Sequence, residues 1–245
     1  MRRPGLLVFG FLALSASIVP AMAQSGRAQD SMRFRVGWFA PTGTSEFWTA
    51  NEATFSMDHS DFDDWMFGAS YVTSVGNHFE FGFNADYYDS TVRSEYRDFV
   101  DQNNNPILHD STLKLLPLTI DLRLLPGCRY KETGEYGNRN VRKPVVWLGV
   151  GGGGNLWHYE EVGDFVGGVV PTVIFDRVVD DGFVPEVHAM AGFELPAGPN
   201  FAWTVEARYS WSEAELGGRF DDIYGPNTKV DLSGGSLFAG LSYQF

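Results

Sequence analysis

An all-β fold is what this 245-residue sequence predicts: eight antiparallel strands, running up and down and closed into a transmembrane barrel with long extracellular loops. Three observations predict it. The chain opens on an export signal, and nothing after that signal is apolar enough for a spanning helix. Segments of about ten residues then alternate apolar with polar side chains, and their connections are by turns long and short. Finally, the last strand carries one apolar face to an aromatic terminus.

Met1-Arg2-Arg3 is a short basic region, Leu6 to Val19 an apolar run, and Ala21-Met22-Ala23 a small-x-small cleavage site before Gln24. That order is the mark of a secretory signal peptide, whose apolar core is too short to anchor in a bilayer. Residues 1–23 are therefore expected to be removed between Ala23 and Gln24. Residues 24–245 form one barrel domain. The new terminus carries no Cys, so no lipoprotein anchor is expected.

Loss of Arg2 and Arg3 takes the formal charge from −13 to −15, which disfavours a nucleic-acid partner. Aromatic residues make up 15% of the chain and there are 28 glycines, a composition suited to sheets with aromatic girdles and tight bends. The one cysteine, Cys128, has no partner for an internal disulfide.

Side chains two apart on a strand share a face. The first strand sets Phe34, Val36, Trp38 and Ala40 against Arg33, Arg35 and Gly37. A polar stretch, 42–63, precedes the second strand, in which Trp65, Phe67, Ala69 and Tyr71 oppose Gly68 and Ser70. Past a tight turn at 75–78, Phe79, Phe81, Phe83, Ala85 and Tyr87 oppose Glu80, Gly82, Asn84 and Asp86, the cleanest alternation in the chain. The stretch 90–112 reads as a second long connection, turning at Asp101 to Pro106. The fourth strand sets Leu116, Leu118, Ile120, Leu122 and Leu124 against Thr119, Asp121 and Arg123, with Pro117 expected at a bulged beginning. After 126–143 comes a fifth strand, 144–158, in which Gly151 to Gly154 read as a bend or a close packing site. Within the third long stretch, 159–183, Thr172 to Val179 suggest a protruding hairpin. Residues 184–195 and 201–212 alternate again around a short turn at 196–200, and 213–230 lead into the closing strand. There Leu237, Ala239, Leu241, Tyr243 and Phe245 share one face. The long stretches are expected outside and the shorter ones in the periplasm.

The chain resembles the small OmpA/OmpW-like outer-membrane β-barrels over essentially its whole mature length. The resemblance is carried by Leu115-Leu116-Pro117-Leu118-Thr119, Gly149-Val150-Gly151, Tyr159-Glu160-Glu161 with Gly163-Asp164-Phe165, Ala191-Gly192-Phe193-Glu194 and Asp231-Leu232-Ser233-Gly234. The closing Leu241, Tyr243 and Phe245 complete it. It implies location in the bacterial outer membrane, contact with its lipid and lipopolysaccharide, and handling by periplasmic chaperones. It also implies recognition of the terminal strand by the barrel-insertion machinery. Members differ in what they do, so the resemblance leaves the function and the oligomeric state open.

Function must then be sought on the polar face. The alternation gathers Arg33, Arg35, Lys114, Arg123 and Arg208 there with Glu80, Asp86, Asp121, Glu186, Glu194, Glu206 and His188. Eight strands leave an interior just wide enough for side chains to fill. Opposite charges in that space are expected to pair, since an unpaired buried charge is costly. The sequence thus predicts a barrel with a charge-filled lumen and a structural or surface-interaction role without catalysis. One alternative is a narrow porin-like channel for small hydrophobic or ionic solutes, with Phe39 and Phe238 along its path; another is a lipid A-modifying hydrolase at the rim. For the latter, His158 with Glu160 and Glu161, or His59 with Ser60 and Asp61, supply the residue types only. These histidines and His109 read as solvated loop residues. No cofactor or metal is called for, because no His or Cys cluster has zinc spacing and the Asp runs lack a calcium-loop pattern.

Overall fold

A computed structural model describes residues 30–127, 130–133, 139–167, 172–225 and 228–245. The expected signal peptide, its expected cleavage between Ala23 and Gln24, and Cys128 lie outside the described residues.

Eight strands make the wall. They are β1 (Asp30–Pro41), β2 (Asp64–Val75), β3 (Phe79–Val100), β4 (Pro106–Leu124), β7 (Val145–Gly167), β8 (Thr172–Pro196), β9 (Phe201–Trp211) and β12 (Gly234–Gln244). Each pairs antiparallel with its neighbours in the order β1-β12-β9-β8-β7-β4-β3-β2. Because β1 pairs with β12 on one side and with β2 on the other, the sheet closes and no edge is left in the membrane.

The wall is inverted relative to a soluble sandwich. On β1, Phe34 is 61% exposed while its neighbour Arg33 is 2% exposed. The same inversion runs round the ring through Trp65, Phe81, Ile120, Val150, Val187, Trp203 and Leu241, all outward and exposed. A continuous apolar belt with charges behind it is stable only where the outer solvent is hydrocarbon. No described helix is long and apolar enough to cross a membrane.

Four strands reach well beyond that belt. β3, β4, β7 and β8 are 22, 19, 23 and 25 residues long. Most of what reads as loop at 90–112 is therefore strand, the turn between β3 and β4 shrinks to 101–105, and the hairpin expected at Thr172 to Val179 is present as the paired outer ends of β7 and β8. The cause is packing. Inward residues Val92, Tyr159 and Val178 are buried in one core with groups from other loops, and this sustains the ladder past the membrane. Gly151 to Gly154 lie inside the continuous β7, and Pro117 stands in mid-strand on β4, so neither the bend nor the bulged beginning is present. At Gly154 an added Cβ would meet the Phe183 ring at 1.9 Å, which makes that run a close-packing site.

The remaining elements sit at the barrel ends. β5 (Tyr130–Thr133) and β6 (Arg139–Arg142) pair as a small hairpin beside the short turns. At the opposite, outer end, stretch 42–63 folds as α1 (Glu46–Thr54) and a 3-10 helix (His59–Phe62). Stretch 213–230 holds β10 (Glu213–Glu215), α2 (Arg219–Tyr224) and β11 (Lys229–Asp231). Stretch 42–63 is thus folded, where the sequence suggests only a polar connection.

Candidate functional site

The lumen and the outer-end cap are the two places where the fold concentrates chemistry. In the lumen, strand alternation turns alternate residues of every wall strand inward. All eleven singled-out residues, Arg33, Arg35, Glu80, Asp86, Asp121, Arg123, Glu186, His188, Glu194, Glu206 and Arg208, are buried there. Lys114 is not among them. It is even-numbered on a strand whose odd positions face inward, and its ammonium meets Asp89 at 2.7 Å on the outside.

Two layers of charge are stacked along the axis. Toward the periplasmic end, Arg33 lies 3.4 Å from Glu80 and 3.5 Å from Glu194. Beside it Arg123 donates to both oxygens of Asp121 at 3.0 and 2.8 Å, and to the Asn84 side-chain oxygen at 3.3 Å. Trp147 underlies both guanidinium groups, at 4.8 and 5.7 Å from its ring centre.

The second layer is centred on Arg35. It donates to Asp86 through Nε at 2.9 Å and through Nη2 at 2.7 and 2.8 Å, and to Glu206 through Nη1 at 3.2 Å. Arg208 answers from across the lumen, donating to Asp86 at 2.8 Å and to Glu206 at 2.9 Å. Phe238 covers this layer, 4.8 Å from Arg35 and 5.7 Å from Arg208. One glycine makes room for each layer. An added Cβ would come 1.9 Å from the Asp86 carboxylate at Gly68 and 2.2 Å from the Asp121 carboxylate at Gly82. His188 stands higher on the wall, its Nδ1 3.6 Å from Glu186.

Above Phe238 the lumen turns apolar. Phe39, Met66, Tyr88, Leu115 and Trp157 from the wall join Phe47, Trp48, Phe55, Met57 and Phe62 from stretch 42–63, and Leu216, Phe220, Tyr224 and Val230 from stretch 213–230, in one core. Ser45 caps α1 and also receives the Asp231 backbone N–H at 3.2 Å, which ties the two stretches together. Trp48 donates its indole N–H to the Asp231 carbonyl at 2.9 Å. The Asp231 carboxylate accepts from Thr42 at 3.0 Å and from the Ser233 N–H at 2.9 Å. Although burial alone raises the Asp231 carboxyl, bonds from Ser233, Thr44 and Thr42 hold it below its usual value.

A buried polar hub ties the cap to the wall. One oxygen of Glu161 accepts from Tyr224 at 2.7 Å, Tyr159 at 3.1 Å and Asn51 at 3.2 Å. Burial pushes the Tyr224 phenol well above its ordinary value, and the Glu161 carboxylate adds to the rise, so the phenol remains a donor. The other Glu161 oxygen faces His109 Nε2 at 3.5 Å. His109 is 1% exposed and stacks on Phe55 at 4.4 Å, so it is a core residue and not a solvated loop histidine. Tyr159 and Glu161 of this hub lie in the Tyr159-Glu160-Glu161 segment of the resemblance, whereas Asn51, Tyr224 and the aromatic lid Trp147 carry no motif. The one sequence signal of the cap is its set of large apolar residues, such as Phe47, Trp48 and Phe220.

The residue pairs weighed for a rim hydrolase are dispersed. His158 contacts Glu160 at 3.4 Å, whereas Glu161 points into the core on the opposite face. His59 meets Glu52 at 2.8 Å and Asp58 at 3.0 Å, while Asp61 accepts the Asp58 backbone N–H.

No protein-family model and no curated protein matches the chain. Solved structures do match. A major outer membrane protein from Thermus thermophilus aligns over 90% of this chain and 100% of its own, with 8% identity and a TM-score of 0.50. OprG from Pseudomonas aeruginosa aligns over 89% of this chain and 96% of its own, with 12% identity and a TM-score of 0.49. At such identities the likeness is one of fold, and the fold is that of the small outer-membrane β-barrels.

Proposed function

We propose that this chain, an outer-membrane β-barrel of the small OmpA/OmpW-like architecture, is a closed structural or surface-interaction barrel without catalytic activity. The observation that carries the reading is the continuous filling of the lumen. Two Arg–carboxylate layers with aromatic lids occupy the lower part, and an apolar cap clamped by the Glu161 hub occupies the upper part. An ion entering would have to break pairs whose partners are already dehydrated, and an apolar solute would have to displace Trp48 and Phe47 from a packed core. What remains for contact is the outside: the apolar belt for lipid, and the charged ends of β3, β4, β7 and β8 for lipopolysaccharide or another surface.

Planar-bilayer recording on the refolded mature barrel tests this reading. Silence at moderate voltage is expected. Discrete, reproducible openings by the unmodified protein would replace the closed barrel with the narrow porin-like channel.

A further inference from the structure

We propose that Glu52, Asp58 and His59, at the outer surface of the cap, form a binding site for one divalent transition-metal ion of borderline softness, with Zn²⁺ as the reference ion. None of the three belongs to the lumen network or the Glu161 hub. One ligand atom from each lies within 4.8 Å of the others. His59 Nδ1 is 2.8 Å from a Glu52 oxygen and 3.0 Å from an Asp58 oxygen. Ligands at about 2.0–2.2 Å from a tetrahedral ion stand roughly 3.4 Å apart, so each carboxylate need move from the imidazole nitrogen by only a few tenths of an ångström to admit one.

The local chain builds this convergence. Glu52 lies in the last turn of α1, Asp58 is the N-cap of the 3-10 helix, and His59 is its first residue. The Glu52 carboxylate is steered back by the His59 backbone N–H at 3.1 Å. Gly43 packs against the imidazole, where an added Cβ would sit 2.2 Å from Cγ, and its φ of +59° suits glycine. Backbone therefore sets the ring plane.

The nearest bonded guanidinium among the described residues, Arg97, donates to the Glu52 backbone carbonyl at 2.8 Å and not to its carboxylate. Two carboxylates aim at a single ring nitrogen, which can give only one proton to one of them. Among the described residues neither carboxylate has a Lys or Arg partner, whereas the lumen acids Asp86 and Asp121 do. The Ser60 backbone N–H donates to the Asp58 carboxylate at 3.0 Å and fixes it beside the ring. Imidazole with two carboxylates suits Zn²⁺, Ni²⁺ or Co²⁺ and disfavours Mg²⁺ and Ca²⁺, which prefer all-oxygen shells. The Glu52 and His59 side chains are each 31% exposed, which leaves the fourth position to water and the ion exchangeable. Bound there, it would join α1 to the 3-10 helix that carries Phe62 into the cap core.

Calorimetric titration of the chelator-stripped, detergent-folded mature barrel with ZnCl₂ tests the site. One saturable Zn²⁺ per barrel is expected, weakened at least about tenfold by both His59→Ala and Glu52→Gln, and unchanged by His158→Ala. The heat-modifiable gel shift of each variant confirms folding, and Glu52→Gln preserves shape if His59→Ala does not fold. Absence of saturable binding, equal binding by Glu52→Gln and the parent, or equal competition by Mg²⁺ at the same concentration would each overturn the proposal.

Discussion

Arg35 and Arg208 show how single residues decide whether this lumen is a plug. Both share the same two acids, Asp86 and Glu206, so removal of either cation leaves a carboxylate with half its partners in a space closed to water. Breaking a buried pair from one side costs on the order of 3–5 kcal/mol. Arg208→Ala should therefore lower the denaturant midpoint clearly, toward the smaller end of that range because Arg35 still reaches both acids. Arg93→Ala removes an exposed pair with Asp110 on the outer face and should leave the midpoint almost unmoved. Chemical unfolding of the two variants in the same detergent compares them, and indistinguishable curves would mean that the Arg208 layer does not hold the barrel shut.

At the scale of elements, the cap is held by hydrogen bonds that depend on ionised Asp231. A carboxyl whose folded pKa is depressed contributes stability in full above its unfolded value of about 3.9, and loses it as pH falls through the folded value. Asp231→Asn should thus be less stable than the parent at pH 7, with the gap narrowing as pH drops below about 4. Intrinsic fluorescence during thermal unfolding, where Trp48 reports on the cap, measures this. Parallel curves across that window would show that Thr42, Thr44 and Ser233 bind the side chain equally well without its charge. The protruding parts of β3, β4, β7 and β8 belong to the same account, since their inner faces are stabilised by the cap and would fray without it.

For the whole molecule, closure rests on β12, which is the last strand made and pairs with both β1 and β9. Its outward face ends in Tyr243 and Phe245, which stack at 6.3 Å, with Phe201 a further 5.1 Å from Tyr243. Two acids placed there would face hydrocarbon or the interface and interrupt the apolar terminal pattern. Tyr243→Asp with Phe245→Asp should leave export intact and strand the mature protein in the periplasm. Cell fractionation with a heat-modifiability gel checks this, and a normal amount of folded barrel in the outer membrane would refute it.

The sequence alone determined the number of wall strands, the places of their membrane-spanning parts and which face meets lipid, because a period of two is a local property and membrane inversion writes the apolar set on one side. It also placed Arg33, Arg35 and Arg123 opposite their apolar neighbours, though one step of phase put Lys114 on the wrong face. What only the tertiary structure decided is who meets whom. Asn51 and Tyr224 reach Glu161 across 110 and 63 residues of chain, and Arg208 reaches Asp86 across 122. Such contacts leave no period in the sequence. The same holds for the cap, where Phe47, Trp48, Phe55 and Phe220 are too sparsely set among polar residues to announce a core. They become one because barrel closure brings stretches 42–63 and 213–230 over the same opening, where burying them together is the way to keep them from water.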